Sequence, residues 1–222
     1  MILFSKFKKA TPWLLLILFS SGCFSYKNNQ QTDRNRTKEK DLYQSSLLKS
    51  DLIARFNRIH SPEAQGYLKE IQRRVSMTKT PSPEIIILNT DTNLAFTDSK
   101  DIYLSKGLIV SLESEAEFLG LIAHEYYHIN YPQDKEEEVN NEILADNYAL
   151  SIIRKNNLDI DSYLDLTVKI CRVELEFDTN AENDCYIRID NINKQILNST
   201  LPKRRFMPER EFKKFKLKIS AQ

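Results

Sequence analysis

The sequence predicts an α+β fold that is mostly helical, with a small mixed β-sheet placed before a helix that contains two histidines. Apolar residues at helical spacing dominate the chain after residue 40, and three short β-branched or aromatic runs interrupt them between residues 84 and 105. Hydrophobic residues make up 41% of the chain and charged residues 28%. This balance is typical of one soluble globular domain.

The predicted elements occur as helices, then strands, then helices again. Apolar spacing indicates one helix over residues 41–60 and a second from Pro62, with Ser61 as its N-cap. Strands are predicted at 84–89, 94–97 and 102–105. From Lys106 the pattern is helical as far as Tyr131, where Pro132 follows, and Ser114 is a candidate cap of the histidine helix. Further helices are predicted at 136–156, 160–176 and 185–198.

The first 22 residues have the composition of a secretory signal. Three lysines precede an apolar run from Trp13 to Phe19, and small residues then lead to Cys23. A retained membrane anchor is the alternative, although the apolar run is too short to span a bilayer comfortably. Small residues followed by a cysteine resemble the lipobox of bacterial lipoproteins. The resemblance implies that Cys23 carries lipid and begins the mature chain.

The predicted organisation therefore has three parts: a signal over 1–22, the lipidated cysteine with a flexible tether over 23–40, and a domain over 41–222. Residues 25–40 are polar and lack an apolar period, which is typical of a disordered tether. A frayed terminus without a role is the alternative. We expect a lipid-anchored protein of the bacterial cell envelope that faces the periplasm, with the outer membrane favoured over the inner.

The charge balance excludes one class of partner. The net charge is +1, and glycine-rich phosphate-binding loops are absent from the sequence. We therefore expect no binding of nucleic acid. The lipid on Cys23, rather than a basic patch, is expected to hold the protein at the membrane.

Cys171 and Cys185 are the cysteines that remain besides Cys23. An oxidising compartment would allow the two to pair. The short loop closed by this bond would contribute about 3 kcal/mol through loop-closure entropy. Two buried free thiols are the alternative, and the sequence does not decide between them.

The segment AHEYYHINY contains two of the three histidines of the chain. Because positions i and i+4 of a helix project from one face, His124 and His128 can bind the same metal ion. Glu125 is rotated from His124 by about 100°, so its carboxylate lies near that ion without being a ligand. This arrangement is typical of a zinc site with an open coordination position. The alternative is a pair of polar residues on a half-exposed helix.

A catalytic zinc ion needs a third protein ligand. No histidine follows His128, and His60 lies near a predicted helix end, where a capping or surface role is expected. A carboxylate is therefore predicted. Glu142 and Asp146 are four residues apart on a predicted helix and share a face. Glu142 is the predicted ligand of one Zn²⁺ per chain, and Asp146 is predicted to accept a hydrogen bond from a ligand histidine.

Several segments resemble, in the same order, those of a known family. These segments are SPEAQGYLKEIQRRV, NLAF, IYLSKGLI followed by EAEFLGLIAHEYYH, and EILAD. They are similar to the gluzincin zinc metallopeptidases that include the CAAX prenyl endopeptidase, HtpX and BepA, over about residues 62–150. The resemblance implies zinc ligands at His124, His128 and Glu142. It also implies that Glu125 is the general base and that Asp146 orients a ligand.

Two features depart from the family pattern. Only 13 residues separate His128 from Glu142, where family members usually have many more. Leu201 stands where the family often has the histidine of a T-H-P segment. Another polar group would then have to stabilise transition-state charge, and the candidates are Tyr148, Tyr186 and Arg188.

The resemblance implies a zinc metalloendopeptidase, which lipid on Cys23 would anchor to the membrane. Recognition of the substrate backbone would make unfolded or damaged envelope proteins its substrates. We expect an extended polypeptide substrate to add to the edge of the small sheet at Asn93, Ala95 and Phe96. The alternative is that this strand only packs under the histidine helix. The competing function is a proteolytically weak or inactive zinc-binding lipoprotein that acts as a chaperone-like or binding module. The presence of Glu125 favours the enzyme, because a structural zinc site does not need it.

Overall fold

The computed structural model describes residues 45–76, 83–98, 100–131, 138–177, 182–198 and 209–222. The predicted signal, Cys23, the predicted tether and Leu201 lie outside the described residues. Among the helices of the described residues, none is both long enough and apolar enough to cross a bilayer.

Eight helices and three strands make up the described residues. The helices are α1 (45–56), α2 (Pro62–Val75), α3 (Lys106–Ser111), α4 (Glu115–Asn130), α5 (Glu138–Lys155), α6 (Asp161–Phe177), α7 (Glu182–Leu197) and α8 (Arg210–Ser220). The strands are β1 (Ile85–Leu88), β2 (Ala95–Thr97) and β3 (Ile102–Ser105). The predicted α+β class is confirmed, since helices dominate and the sheet precedes the helix that carries His124 and His128.

The sheet is mixed and has the strand order β1-β3-β2. β1 runs parallel to β3, with Ile86 opposite Tyr103, and β2 runs antiparallel to β3, with Phe96 opposite Tyr103. Every residue of β1 and β3 is buried. β3 is therefore the central strand, and β2 is an edge strand next to α4, which packs against both β2 and β3.

The helical pattern predicted from Lys106 to Tyr131 forms two helices rather than one, and the cap expected at Ser114 is confirmed at the start of the second. Ser105 Oγ caps α3 by accepting a hydrogen bond from Leu108 N, and Leu112 ends α3 with an extended backbone. Ser114 Oγ then caps α4 by accepting from Glu117 N at 3.0 Å. Leu112 is itself buried in the core, so apolar spacing continues through the break and hides it.

α8 is a helix that the sequence-based assignment missed. Its apolar residues Phe212, Phe215 and Ile219 have helical spacing and are buried. The ring of Phe215 lies 4.7 Å from that of Tyr67 in α2 and 5.3 Å from that of Phe118 in α4. The helical spacing of these apolar residues could have predicted α8. The pattern is hard to recognise because five of the eleven residues are lysine or arginine.

The hydrophobic core surrounds α4. Residues from Ala116 to Tyr126 are all buried, because α4 packs against α2, α5, α6 and the sheet. Burial on several sides explains why this helix is apolar nearly all round, whereas α2 and α8 have one apolar face. The polar side chains of the buried part of α4 therefore need partners from neighbouring helices.

Candidate metal centre

Three predicted ligands from α4 and α5 meet at one point. The Nε2 atoms of His124 and His128 are 3.0 Å apart. The carboxylate of Glu142 lies 3.3 Å from His124 Nε2 through Oε2 and 3.2 Å from His128 Nε2 through Oε1. One potential ligand atom of each residue lies within 4.8 Å of those of the other two. The structure thus brings together a His-His-Glu group that is close enough to hold a metal ion.

The spacing and chemistry of these donors fit a cation. Two ligands of a tetrahedral ion at about 2.1 Å lie about 3.4 Å from each other, close to the observed separations. His124 Nδ1 donates to the carboxylate of Asp146 at 3.0 Å, so in the neutral ring His124 Nε2 carries a lone pair. That lone pair faces His128 Nε2 and the Glu142 carboxylate. Such converging acceptors repel one another unless a metal ion or a proton lies among them.

Close packing of α4 on α5 makes this convergence possible. Gly120 in α4 allows a close approach, since a Cβ there would lie 2.9 Å from Ile153 Cδ1 in α5. On α4, the i and i+4 positions of the histidines place both rings on one side. On α5, Glu142 and Asp146 have the same spacing. The Glu142 carboxylate therefore lies near Nε2 of both histidines, and the Asp146 carboxylate lies at Nδ1 of His124.

Asp146 is fully buried and is satisfied by three side chains. Besides His124 Nδ1, its donors are Tyr163 Oη at 2.8 Å, Arg188 Nε at 2.8 Å and Arg188 Nη2 at 3.0 Å. Burial alone would raise the pKa of Asp146, but Arg188 and His124 outweigh it and hold that pKa below its usual value. The charged carboxylate therefore fixes the tautomer and ring orientation of His124.

Arg188 links the orienting carboxylate to the ligand carboxylate. Its Nη1 atom forms an ion pair with Glu142 Oε2 at 3.0 Å, while the other guanidinium nitrogens bind Asp146. Burial lowers the pKa of Arg188, but the carboxylates of Asp146 and Glu142 raise it well above its ordinary value. Arg188 therefore stays charged and holds both carboxylates of α5 in place.

The other two sequence candidates for a charge-stabilising group lie elsewhere. Tyr148 donates its hydroxyl hydrogen to Val75 O at 2.7 Å, and Tyr186 is 69% exposed. Of the three, and among the described residues, Arg188 alone contacts Glu142 and Asp146. His60, which was not expected to be a ligand, is exposed.

Tyr163 in α6 is a site residue that the sequence-based reasoning missed. It is buried, and both burial and the Asp146 carboxylate raise the pKa of its hydroxyl well above 10. A side chain at position 120 would collide with it, since a Cβ there would lie 2.4 Å from Tyr163 Cδ2. Gly120, one turn before His124, thus leaves room for the tyrosine. No metal-site pattern contains this residue, so only the packing of α6 on α4 reveals it.

The electrostatic field of the cluster favours a positive charge. Burial by itself lowers the pKa of His124, but the carboxylates of Glu142 and Asp146 outweigh burial and raise that pKa to about 9. Burial raises the pKa of Glu142, whereas His124, His128 and Arg188 lower it far below its usual value. Two carboxylates face one guanidinium, so a proton or a metal cation at the imidazoles neutralises the excess negative charge.

Glu125 is buried but incompletely satisfied. It is 1% exposed, and its Oε1 atom has no hydrogen-bond partner in the part of the chain that the structure describes. A buried carboxylate oxygen without a partner is costly for a purely structural residue. It is the expected state of a group that serves a ligand, since such a group gains its partner only when the ligand binds.

The predicted substrate edge is the outer edge of β2. Ser105 N donates to Leu94 O, so in the alternating antiparallel ladder the backbone groups of Ala95 point away from β3. Asn93 is exposed, Phe96 is half-buried and stacks on Tyr103 with ring centroids 5.0 Å apart, and Ala95 is 1% exposed. The edge at Ala95 is therefore covered rather than open to solvent.

A disulfide bond joins Cys171 in α6 to Cys185 in α7, with their Cα atoms 5.7 Å apart. This is one of the two alternatives that the sequence left open. Arg188 lies one turn beyond Cys185, and Tyr163 lies about two turns before Cys171. The bond therefore connects the two helices that supply the donors to Asp146.

Comparison of the chain with protein-family models gives no match, and comparison with curated proteins gives none either. The geometry of the site itself thus defines it: two imidazoles and one carboxylate close enough to hold a metal ion, with an orienting carboxylate behind them.

Proposed function

We propose that this chain is a zinc-dependent metalloendopeptidase that is anchored to the membrane through lipid on Cys23. Its substrates are unfolded or damaged polypeptides of the bacterial cell envelope. The observation that carries the proposal is the convergence of His124, His128 and Glu142, with Glu125 next to the first ligand in the chain. The similarity of five ordered segments to gluzincin metallopeptidases supports the same conclusion.

Zinc is the metal that these donors favour. Catalytic zinc sites use three protein ligands drawn from histidine and acidic residues and leave one position open, whereas structural zinc sites use four. Among the described residues, the cluster contains three such ligands. Bound zinc supplies Lewis acidity, which polarises a peptide carbonyl and makes water acidic enough to attack near neutral pH.

The residues around the metal site have separate tasks in this reaction. Glu125 accepts a proton from the attacking water and delivers it to the leaving amine. Asp146 holds His124 in the tautomer whose Nε2 binds metal, through the 3.0 Å hydrogen bond to Nδ1. Arg188 keeps the Glu142 carboxylate charged and positioned through their ion pair.

Substrate recognition is proposed at the outer edge of β2. Backbone hydrogen bonds to a strand edge give affinity with little demand on sequence, which suits unfolded substrates. Because Ala95 is 1% exposed, binding there includes uncovering the edge. A digest of a peptide library should give many cleavage sequences, and a single strict cleavage sequence would contradict recognition through the backbone.

The decisive experiment compares the wild type with Glu125→Gln. Bound zinc is measured by metal analysis, and cleavage is measured with an unfolded protein such as casein. Glu70→Gln is the matched control, since Glu70 is an exposed glutamate of α2 that pairs with Arg73. We expect zinc in all three proteins and cleavage in all except Glu125→Gln. Cleavage that persists in Glu125→Gln would show that Glu125 is not the general base.

Burial of Glu125 and Ala95 favours a second candidate function. Both residues are 1% exposed, so the base and the substrate edge are covered in this conformation. A zinc-binding module without proteolytic activity, which acts as a chaperone or binding protein, is consistent with this burial. Zinc binding together with equal inactivity of wild type and Glu125→Gln would support the module over the enzyme.

A further inference from the structure

α8 has two faces of opposite chemistry. Its inner face consists of Phe212, Phe215 and Ile219, which are buried against α2, α3 and α4. This packing fixes the rotation of the helix about its axis. The residues on the opposite side must therefore project away from the core.

The outer face combines positive charge with an exposed aliphatic side chain. Arg210, Lys213, Lys214 and Leu217 have the spacing i, i+3, i+4 and i+7, so they share that face, and all are exposed. Leu217 is 70% exposed. Val110 is a second exposed aliphatic residue, and it belongs to α3, which packs against α8.

The charge of α8 is unusual for this chain. The helix contains five basic residues and one acidic residue, whereas the whole chain has 32 basic and 31 acidic residues. Lys214 pairs with Glu211 at 2.8 Å. Arg210 and Lys213 make no ion pair within the described part of the chain. Much of the positive charge on this face is thus available to a partner.

We propose that α8 binds the surface of a membrane that contains anionic phospholipid. Cations attract the helix to the lipid phosphates, and an aliphatic side chain among them inserts below the headgroups. The net charge of +1 predicted lipid at Cys23 and not a basic patch as the attachment, but α8 adds a local basic surface that the whole-chain charge conceals. The proposal rests on α8 and not on the metal site. Leu217 favours a lipid surface over a nucleic-acid backbone, because the groups that contact phosphates in nucleic-acid sites are charged or polar.

The test uses the full chain with one fluorescent reporter on the outer face. Trp13→Phe removes the natural tryptophan of the chain, and Leu217→Trp places a tryptophan at the exposed position. Vesicles of phosphatidylcholine are compared with vesicles in which phosphatidylglycerol replaces about a third of the lipid. We expect a blue shift, and quenching by brominated acyl chains, on the anionic vesicles only.

Matched charge variants assign the effect to α8. The test variant combines Arg210→Glu, Lys213→Glu and Lys214→Glu. The control combines Lys100→Glu, Lys155→Glu and Arg172→Glu, which are exposed residues of a turn, α5 and α6. Because each cation near an anionic surface contributes about a fivefold gain in binding, the test variant should need about 100-fold more anionic lipid for the same shift. The control variant should give the same fluorescence shift as the reporter chain at the same amount of anionic lipid.

Salt provides a measurement that needs no charge substitution. Raising the ionic strength from about 0.1 M to about 1 M shortens the screening length from about 10 Å to about 3 Å and should abolish the shift. Equal shifts on both kinds of vesicle, no shift on either, or equal losses in both charge variants would overturn the proposal. A fluorescence shift caused by double-stranded DNA and not by vesicles would show that α8 binds nucleic acid rather than a membrane.

Discussion

Arg188 donates two hydrogen bonds to Asp146, from Nε to Oδ2 at 2.8 Å and from Nη2 to Oδ1 at 3.0 Å. This bidentate pair joins α7 to α5 behind the metal centre. The third nitrogen of the same guanidinium pairs with Glu142, so one arginine holds the proposed ligand and the residue that orients another ligand. The stability of the cluster and its affinity for metal are therefore coupled through Arg188.

Arg188→Lys should weaken metal binding even though it keeps the positive charge. Lysine presents a point charge and cannot reproduce the bidentate contact with Asp146. Loss of such an orienting contact typically lowers metal affinity by about 10- to 100-fold. Competition with a chromogenic zinc chelator measures the change, and Arg172→Lys, at an exposed position of α6, is the matched control. Unchanged affinity in Arg188→Lys would show that the arginine is not a positioning residue.

Tyr163→Phe should reduce the free energy of unfolding by about 2 kcal/mol. The substitution removes the hydroxyl that donates to the Asp146 carboxylate at 2.8 Å and leaves the ring in place. Urea denaturation of the metal-free protein measures the loss. Tyr186→Phe, at a position 69% exposed, should change stability by less than about 0.5 kcal/mol. Similar effects of the two substitutions would argue against the hydrogen bond as the cause.

Gly120→Ala and Gly66→Ala should change stability in opposite directions. A Cβ at position 120 would lie 2.4 Å from Tyr163 Cδ2, so the tyrosine must move, at a cost of about 1–3 kcal/mol. A Cβ at position 66 meets no atom within 4 Å, and alanine there should stabilise α2 by about 0.5–1 kcal/mol. Thermal unfolding followed by circular dichroism measures both. Stabilisation by Gly120→Ala would contradict the proposed close approach of Tyr163.

Replacing both Cys171 and Cys185 by serine should lower the free energy of unfolding by about 3 kcal/mol. The disulfide spans 14 residues of sequence, and loss of that constraint increases the entropy of the unfolded chain. Urea denaturation with and without a reducing agent measures the effect. The reducing agent should destabilise the wild type and leave the double variant unchanged. Equal sensitivity of both proteins to the reducing agent would show that the agent does not act through this disulfide.

Acid should weaken the attachment of α1 to the sheet through Glu84. Burial raises the pKa of Glu84, but Lys49, at 2.7 Å, and Arg58 outweigh it and lower that pKa below 4.5. Because the folded state has the lower pKa, the stabilisation is complete above about pH 4.5 and is lost as pH falls through the lowered value. Stability of Glu84→Gln should therefore vary less with pH below 4.5 than that of the wild type.

The control for this pH prediction is Glu182→Gln, an exposed residue at the start of α7. Its pH profile should match that of the wild type. Denaturant titrations at a series of pH values from 3 upward, in steps of about half a unit, resolve the difference. Identical dependence of stability on pH in Glu84→Gln and the wild type would show that Glu84 is not the titrating group.

Local periodicity made much of the fold predictable. Apolar spacing located α2, α5, α6 and α7 to within a few residues, and short β-branched or aromatic runs located the three strands. The break between α3 and α4 was not predictable in this way, because Leu112 is buried and keeps the apolar pattern. Ser105 and Ser114 cap the two helices by accepting hydrogen bonds from backbone N–H groups, and of these caps the sequence predicted Ser114.

The sequence by itself determined the half of the centre that lies within single helices. His124 and His128 share a face because of helix geometry, as do Glu142 and Asp146. Tertiary structure alone decided that these faces meet, and that Tyr163 and Arg188, which lie 17 and 42 residues after Asp146, complete the centre. The physical reason is that a helical period reports which residues share a face. Which faces come into contact depends on packing between segments far apart in the chain.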